Sequence, residues 1–301
     1  MSKQIKLDPY FDADSVRASF ILENYSEMPI RSIQHLVLRI QHGFWRIIDD
    51  EPRRDLFFIP EIEYERDERG DEFEIGLLPK RTGESKTALS PLEVVECRTH
   101  NDSKKWRFHY GSKLSRKLPR AIFNDYRDFF GACKILNDRG KEMAIRLAQA
   151  FDEANKGEKF FPGSLVTRIK EGIALTRLLR YEDTTETKLV LFDHKCRPIC
   201  AAESDSRHVL MFPGTKFWGV TRGLYGTGTV HGVFSRHNEK FDASLHHDRS
   251  CMTIHWISKN EQSGKRFAVV TFVHCVLYPE DVEWFDANIN ELKIDRALYV
   301  L

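Results

Sequence analysis

The chain after residue 171 constrains the fold most, because short β-rich runs alternate there with turn signals. These runs contain many Val, Ile, Phe and Tyr residues, which are typical of strands, and polar stretches such as EDTTET, ESDS and KNEQSGK separate them. They are IALTRLLRY, KLVLFDH, PICAA, HVLMF, WGVT, GTVHGVF, CMTIHWIS and FAVVTFVHCVLY. About eight short strands with regular turns predict a double-sheet jelly roll or a barrel over residues 172–278.

Helical periodicity dominates the front half of the chain. The clearest helix is predicted over residues 121–155, where apolar side chains fall largely on one stripe and Gly157 supplies a stop. Another helix is predicted from Arg31 to Gly43, with FWRIID following it as a strand. Nearer the start of the chain, SVRASFILENY predicts one short helix.

The remaining segments complete an α+β prediction. Residues 49–120 are charged and repeatedly interrupted by proline, yet they contain several aromatic residues, so we expect loops that pack over other elements. The sequence predicts a single domain over 1–301. Its mainly helical and loop front half is 1–171, the jelly-roll core is 172–278 and a C-terminal helix is 279–301.

Composition excludes some classes of partner. The 46 Lys and Arg residues nearly balance the 45 Asp and Glu residues, so no basic excess favours nucleic acid or a membrane surface. No stretch approaches the roughly 20 apolar residues that cross a bilayer, and the N-terminus lacks the apolar region of a secretory signal. The six cysteines are therefore expected to be reduced thiols in a cytoplasmic protein. No feature indicates an oligomeric state.

The stretch KLVLFDHKCRPICAA holds the first candidate site. On an extended strand His194, Cys196 and Cys200 share one face, and an imidazole and a thiolate two positions apart can bind one metal. The alternative is that Cys196 and Cys200 are small buried hydrophobic residues.

Two further candidate sites follow. His231 lies on a predicted strand after a glycine-rich turn, in YGTGTVHGVF, where it is either a ligand or a core histidine in a tight hairpin. Arg249 precedes a strand in SLHHDRSCMTIHW, where its guanidinium suits a carboxylate if the strand lines a pocket and is otherwise exposed. His246 and His247 are expected to be solvated turn residues. The sequence contains no GxxxxGK[ST], HExxH or GxSxG motif.

The order of these sites resembles the isopenicillin N synthase-like branch of the iron(II)- and 2-oxoglutarate-dependent oxygenases. LTRLLRYEDTTETKLVLFDHKC is similar to the segment that ends on that family's first metal-ligand strand, and PGTKFWGVTRGLYGTGTVHGV is similar to the run into its second histidine. RSCMTIHWI resembles its Arg-x-Ser strand, and HGFWRIID resembles its early strand. The helical segment from KLPRAIFNDY onward resembles its long helix, so the resemblance spans most of the chain.

The resemblance implies a role for each matching residue. His194 and His231 correspond to the two iron-binding histidines, and Cys196 occupies the position of the family's carboxylate ligand. Asp193, adjacent to His194, is a less favoured third ligand because its side chain would point to the opposite face of a strand.

The co-substrate residues are implied in the same way. Arg249 corresponds to the arginine that holds a 2-oxoglutarate carboxylate or substrate, Cys251 to the serine two residues later, and Tyr181 to a tyrosine of the same pocket. The implied cofactor is Fe(II), the implied co-substrate is 2-oxoglutarate, and the implied partner is a small organic substrate.

Cys196 leaves several functions open. A thiolate is a softer ligand than a carboxylate, so the protein is either an oxygenase with an unusual ligand set or one in which water or halide fills that position. The alternative is a catalytically degenerate binding or regulatory protein on the same fold. A zinc site formed by His194, Cys196 and Cys200 is a third hypothesis.

Overall fold

The computed structural model describes sixteen stretches of the chain. They are residues 8–9, 20–23, 30–53, 65–66, 72–73, 92–96, 104–111, 119–154, 164–181, 187–192, 198–202, 208–223, 229–235, 246–247, 250–256 and 266–288.

Helices in these stretches lie mostly in the front half of the chain. They are α1 (Ile30–Asp49), α2 (Arg120–Asp125), α3 (Arg127–Ala154), α4 (Leu165–Glu171), α5 (Thr215–Val220) and α6 (Pro279–Asn288). The helix predicted over 121–155 is confirmed as α2 and α3, which are separated at Tyr126. Of the helices in the described part of the chain, none has the length and apolar character needed to cross a bilayer.

α1 does not end at Gly43, where a helix end was predicted. The helix continues to Asp49, so FWRIID forms its last turns and not a strand. A Cβ atom at Gly43 would lie 2.7 Å from the Cβ atom of Phe129 in α3. The two helices α1 and α3 approach each other so closely at this position that only glycine fits. Gly43 therefore indicates a helix–helix contact and not the end of a helix.

Strands in the described part of the chain build two larger antiparallel sheets and one two-stranded sheet. The strands are β1 (Asp8–Pro9), β2 (Phe20–Glu23), β3 (Glu65–Arg66), β4 (Glu72–Phe73), β5 (Leu92–Glu96), β6 (Lys104–Tyr110), β7 (Ala174–Tyr181), β8 (Thr187–Phe192), β9 (Pro198–Ala202), β10 (His208–Pro213), β11 (Val230–Ser235), β12 (His246–His247), β13 (Met252–Trp256) and β14 (Arg266–Val273). The large sheet has the order β1-β2-β10-β13-β14-β7-β6-β5, and the small sheet has the order β12-β11-β8-β9. Helices and antiparallel sheets together confirm the α+β class.

Three segments depart from the predicted elements. WGVT, predicted as a strand, lies in and just after α5. FILE, predicted as part of a helix, is β2, which pairs with β10. β6, in the region where loops were expected, pairs with β7 along the large sheet. In the last two segments, hydrogen bonds to a neighbouring strand decide the conformation, and a local pattern cannot report them.

One face of the large sheet packs against the helices. Phe108 of β6 is fully buried, and its ring lies 6.3 Å from Phe44 of α1 and 5.6 Å from Phe129 of α3, centroid to centroid. These aromatic contacts place the main hydrophobic core between the large sheet and the α1–α3 pair.

A chain of buried hydrogen bonds joins the large sheet to α3. Trp256 Nε1 donates to Thr271 Oγ1 at 2.9 Å, and the hydroxyls of Thr271 and Thr176 are 2.9 Å apart. Thr176 Oγ1 donates to Asn137 Oδ1 of α3 at 3.0 Å. Each hydroxyl can accept one hydrogen bond and donate the next, so the polar groups in this apolar layer are satisfied.

The opposite face of the large sheet packs against the small sheet. Leu189 and Leu191 of β8 form a buried cluster with Leu210 and Phe212 of β10. The Thr229 N–H donates to the Pro213 carbonyl at 3.0 Å, which places the start of β11 beside the end of β10. The space between the two sheets is therefore apolar at its centre. The end of β10 and the start of β11 lie together at one side of this space.

Candidate functional site

His231 points into the space between the two sheets. It lies on β11, is 8 % exposed, and its ring centroid is 4.9 Å from that of Phe212 on the large sheet. Its Nδ1 atom is 3.4 Å from the Thr229 carbonyl oxygen. In the tautomer that donates from Nδ1 to this carbonyl, the lone pair is on Nε2, which is the arrangement of a histidine that binds a metal.

His255 reaches the same space from the large sheet. Its ring stacks on Phe212 with an interplanar angle of 23° and a centroid distance of 5.6 Å. It was not among the predicted site residues, although strand alternation places it with Thr253 on the face opposite Ile254. The alternation of side chains along the strand MTIHW could have identified His255, because it places His255 on the face opposite the residues that contact the helices.

His194 and Cys196 lie outside the described residues, as does Asp193. The strand that leads to them is described. β8 ends at Phe192, which pairs with Val230, next to His231. Phe192 is therefore the last described residue before His194, two positions away in the sequence, and it lies beside the first residue of β11.

Cys200 stands in register with His231 across the small sheet. Leu191 of β8 pairs with Cys200 of β9 on one side and with His231 of β11 on the other. On the far side of β11, His246 of β12 pairs with His231, so His246 belongs to a strand and not to the predicted turn. One row across the four strands of the small sheet thus holds Cys200, Leu191, His231 and His246.

Arg249 also lies outside the described residues, but the residues that follow it are placed. Ser250 and Cys251 are buried, and the Cys251 N–H donates to the Val273 carbonyl at 2.8 Å. The Cys251 thiol lies in the core on the helix side of the large sheet, beside the Cys275 thiol. Burial raises the pKa of Cys251 well above its ordinary value, so this side chain is a neutral thiol.

The start of β11 lies near the Ala174 end of β7, and Tyr181 is at the other end of that strand. Tyr181 pairs with Arg266, whereas Ala174 pairs with Val273. Seven strand positions separate Tyr181 from Ala174, about 23 Å in an extended chain. The backbone of Tyr181 is therefore remote from the edge that carries Thr229.

A second group of residues that sequence reasoning missed lies at that edge. His274 follows β14 and is 8 % exposed. Burial, together with the positive charges of Lys216 and Arg177, lowers the pKa of His274 to about 3. The imidazole is therefore neutral at physiological pH.

A metal site would need ligands beyond those described. In the stretches that the structure covers, no three His, Cys, Asp or Glu side chains are grouped to hold a metal ion. His231 fits the requirement for one imidazole ligand, because it is buried and a carbonyl oxygen lies beside Nδ1. His194 and Cys196 remain predicted ligands.

No known protein-family model and no curated protein sequence matches this chain. Among solved structures, the chain is similar to a protein from Caulobacter crescentus assigned to the 2OG-Fe(II) oxygenase family. The TM-score is 0.50 at 13 % sequence identity, with 92 % of this chain and 90 % of the other covered. The chain has the fold of a 2OG-Fe(II) oxygenase family protein.

Two other matched structures are complexes with alpha-KG. A full-length protein from Neurospora crassa, in complex with alpha-KG and 5-formyluracil, matches with a TM-score of 0.47 at 12 % identity, over 87 % of this chain and 79 % of that one. The same Neurospora crassa protein in complex with alpha-KG and thymine matches with the same TM-score and identity, over 87 % and 81 % of the two chains.

Proposed function

We propose that this protein is a non-haem iron(II)- and 2-oxoglutarate-dependent oxygenase that oxidises a small organic substrate. Its β-rich part would be the jelly roll of the isopenicillin N synthase-like branch. The observation that carries the proposal is the buried position of His231 between two sheets of a fold shared with a 2OG-Fe(II) oxygenase family protein.

The course of the chain supports a ligand set built around His231. β8 ends beside the first residue of β11, since Phe192 pairs with Val230. His194 and Cys196 follow that end by two and four positions, so a short turn suffices to bring them toward His231. His194, Cys196 and His231 would then hold the iron, with Cys196 in place of a carboxylate.

Arg249 would bind the co-substrate carboxylate. It immediately precedes Ser250, which is 1 % exposed and whose Oγ lies 2.8 Å from Thr253 Oγ1 on β13. Thr253 is next to Ile254 and two positions before His255, whose ring lies between the sheets. A guanidinium at this point of the chain suits a carboxylate, because its fork of N–H donors matches the two oxygens.

The bound iron would supply the oxidising chemistry, with O₂ and 2-oxoglutarate as the co-reactants. The residues of the chain hold and orient these groups. Phe212 and the leucines of the inter-sheet cluster are buried side chains, which keep water away from His231. A dry site strengthens the electrostatic interactions that position a charged co-substrate.

Anaerobic addition of Fe(II) and 2-oxoglutarate tests the proposal. We expect a visible metal-to-ligand charge-transfer band in the natural protein, and its loss in His231→Ala. His42→Ala is the matched control, because His42 is an exposed histidine of α1, and it should keep the band. A natural protein that gives no band and retains no iron would contradict the oxygenase proposal.

The second candidate is a catalytically degenerate protein that keeps the fold and binds a ligand without oxidising it. Cys196 favours it, since the resemblance places a hard carboxylate at that position. Cys196→Asp separates the two. Iron binding that appears only in this variant identifies a degenerate site, whereas loss of a band present in the natural protein identifies a working thiolate.

A further inference from the structure

The exposed side of α1 carries arginines without a counter-charge among the described residues. From Ile30 to Ile48 the helix contains no Asp or Glu. Arg39 and Arg46 are both exposed, and neither forms an ion pair with a described residue. The Arg46 guanidinium contacts only an aromatic face, that of Tyr126, at 5.0 Å from the ring centroid. This side of the helix therefore presents positive charge to solvent.

The side chains on this side of α1 repeat every seven positions. The repeating pairs are Arg39 with Arg46, His35 with His42, and Leu38 with Trp45. Seven residues make nearly two turns, so the members of a pair lie about 10.5 Å apart on one side of the helix. Around the helix the apolar pair lies beside the imidazoles, and the imidazoles lie beside the guanidiniums. A spacing of seven is the one at which two helices contact each other along their length.

The apolar pair supplies a hydrophobic contact at the border of this cationic side. Leu38 is 59 % exposed, whereas its neighbour Val37 is 5 % exposed and faces the core. Trp45 is half-buried, and its ring lies 5.5 Å from the guanidinium carbon of Arg180. An exposed leucine at this place gives a partner helix one apolar side chain to cover.

We propose that this side of α1 binds an acidic amphipathic helix of a partner protein. Carboxylates seven residues apart on the partner would face Arg39 and Arg46, whose planar guanidiniums suit a carboxylate. The imidazoles of His35 and His42 would donate hydrogen bonds to the same row, and an apolar side chain of the partner would cover Leu38. None of these residues is a proposed iron or co-substrate ligand, so this interaction does not depend on the oxygenase proposal.

Charge and apolar area favour such a helix over other occupants. A second copy that docked through its own α1 would bring arginine against arginine. A membrane surface takes up helices with a broad apolar face, and Leu38 is the exposed large hydrophobic residue of α1 in the described part of the chain. A nucleic acid is attracted by a large basic excess, whereas this chain has a net charge of +1.

The test is a fluorescence anisotropy titration of the full-length protein against a labelled synthetic helical peptide. Each heptad of the peptide carries one Leu flanked by two Glu. A scrambled peptide of the same composition and a double-stranded DNA oligonucleotide are the comparison probes. We expect the heptad peptide to bind more tightly than either, with an affinity that falls as sodium chloride is added, because exposed charges are screened.

Reversing one charge identifies the surface that binds. Arg39→Glu should weaken the affinity for the acidic peptide about tenfold, since it turns an attraction into a repulsion, and should bind a peptide with Lys in place of Glu. Lys170→Glu makes the same change of charge at an exposed position of α4 and should leave the affinity unchanged. Leu38→Ala should weaken binding without altering its salt dependence. If Arg39→Glu fails to fold, Arg39→Gln should show the smaller loss expected for a lost attraction alone.

The comparison probes decide against the proposal in three ways. Equal binding of the scrambled peptide would make this side of α1 a general anion surface. Tighter binding of the DNA oligonucleotide would make a nucleic acid the partner. No binding of any probe, or an equal loss of affinity in Lys170→Glu, would mean that α1 is a solvated helix without a docking role.

Discussion

The imidazole rings of His231 and His255 meet edge to face between the two sheets, with their centroids 6.1 Å apart and an interplanar angle of 73°. Both rings also contact Phe212, which lies 4.9 Å from His231 and 5.6 Å from His255. His231 belongs to the small sheet and His255 to the large one. The orientation of the proposed ligand is thus supported by an aromatic contact from the opposite sheet.

Removing the His255 ring should make the orientation of the His231 ring less well fixed. In His255→Ala we expect the apparent Fe(II) affinity to fall up to tenfold, because Phe212 loses the ring that stacks on it. His255→Phe keeps a ring of similar shape and should restore the affinity, measured by anaerobic Fe(II) titration. An affinity lost equally in both variants would instead make the His255 nitrogen atoms themselves the important groups.

The buried ion pair between Arg168 of α4 and Asp281 of α6 should dominate the stability of this region. Both side chains are 0 % exposed, and Arg168 also stacks on Tyr278, 4.2 Å from the ring centroid. Asp281→Asn leaves a buried guanidinium without its counter-charge and should cost about 3–5 kcal/mol of unfolding free energy. Urea denaturation measures this loss.

A double variant supplies the control for this pair. Arg168→Met with Asp281→Leu removes both charges of this pair and fills a similar volume, so it should be more stable than Asp281→Asn alone. Arg222, which also lies 3.1 Å from the Asp281 carboxylate, loses that contact in both variants, so it does not affect the comparison. A double variant that is less stable than the single one would show that the neighbouring contacts of Arg168 and Asp281 matter more than the charge balance.

Two glycines of the helical layer should respond oppositely to alanine. Gly43→Ala places a Cβ atom 2.7 Å from Phe129 and should destabilise the protein by about 1–3 kcal/mol. Gly131→Ala, in α3, meets no atom within 4 Å and should stabilise it by about 0.5–1 kcal/mol, since alanine favours a helix interior. Thermal unfolding of both variants checks the signs, and a neutral Gly43→Ala would mean that the helices can move apart freely.

Glu51 should make the stability depend on pH in the acidic range. Its carboxylate accepts hydrogen bonds from Arg53 Nε at 2.7 Å and from the Tyr126 hydroxyl at 2.7 Å. These bonds lower its pKa from 4.5 to about 2. A lowered pKa adds stability above the unfolded value, and this stability is lost as the pH falls from about 4.5 to about 2.

Urea midpoints at pH 6 and pH 2.5 test the Glu51 contribution. Glu51→Gln should be less stable than the natural protein at pH 6, and the difference should narrow at pH 2.5. Glu283→Gln, which removes a charge at an exposed position of α6, should show no such narrowing. A constant difference for Glu51→Gln would assign its cost to packing and not to ionisation.

Local patterns predicted α3 and most strands of the chain after residue 171, because their signals lie within the segments themselves. The apolar stripe of α3 repeats over many turns, and β13 and β14 are rich in residues that favour strands. WGVT, the end of α1 and β2 show the limit of such patterns. A glycine such as Gly43 is typical of a helix end. Here it is instead required by the close contact between α1 and Phe129 of α3.

The sequence by itself determined the α+β class, the position of the β-rich part and the identity of His231 as a residue worth testing. Only the tertiary structure decided that His255 faces His231 and that Cys251 is a core thiol beside Cys275. It also decided that His274 is buried near two cations. Periodicity reports which residues share a face of one element, whereas contacts between elements depend on register and on how the sheets pack. Those contacts join residues far apart in the chain, and no local pattern encodes them.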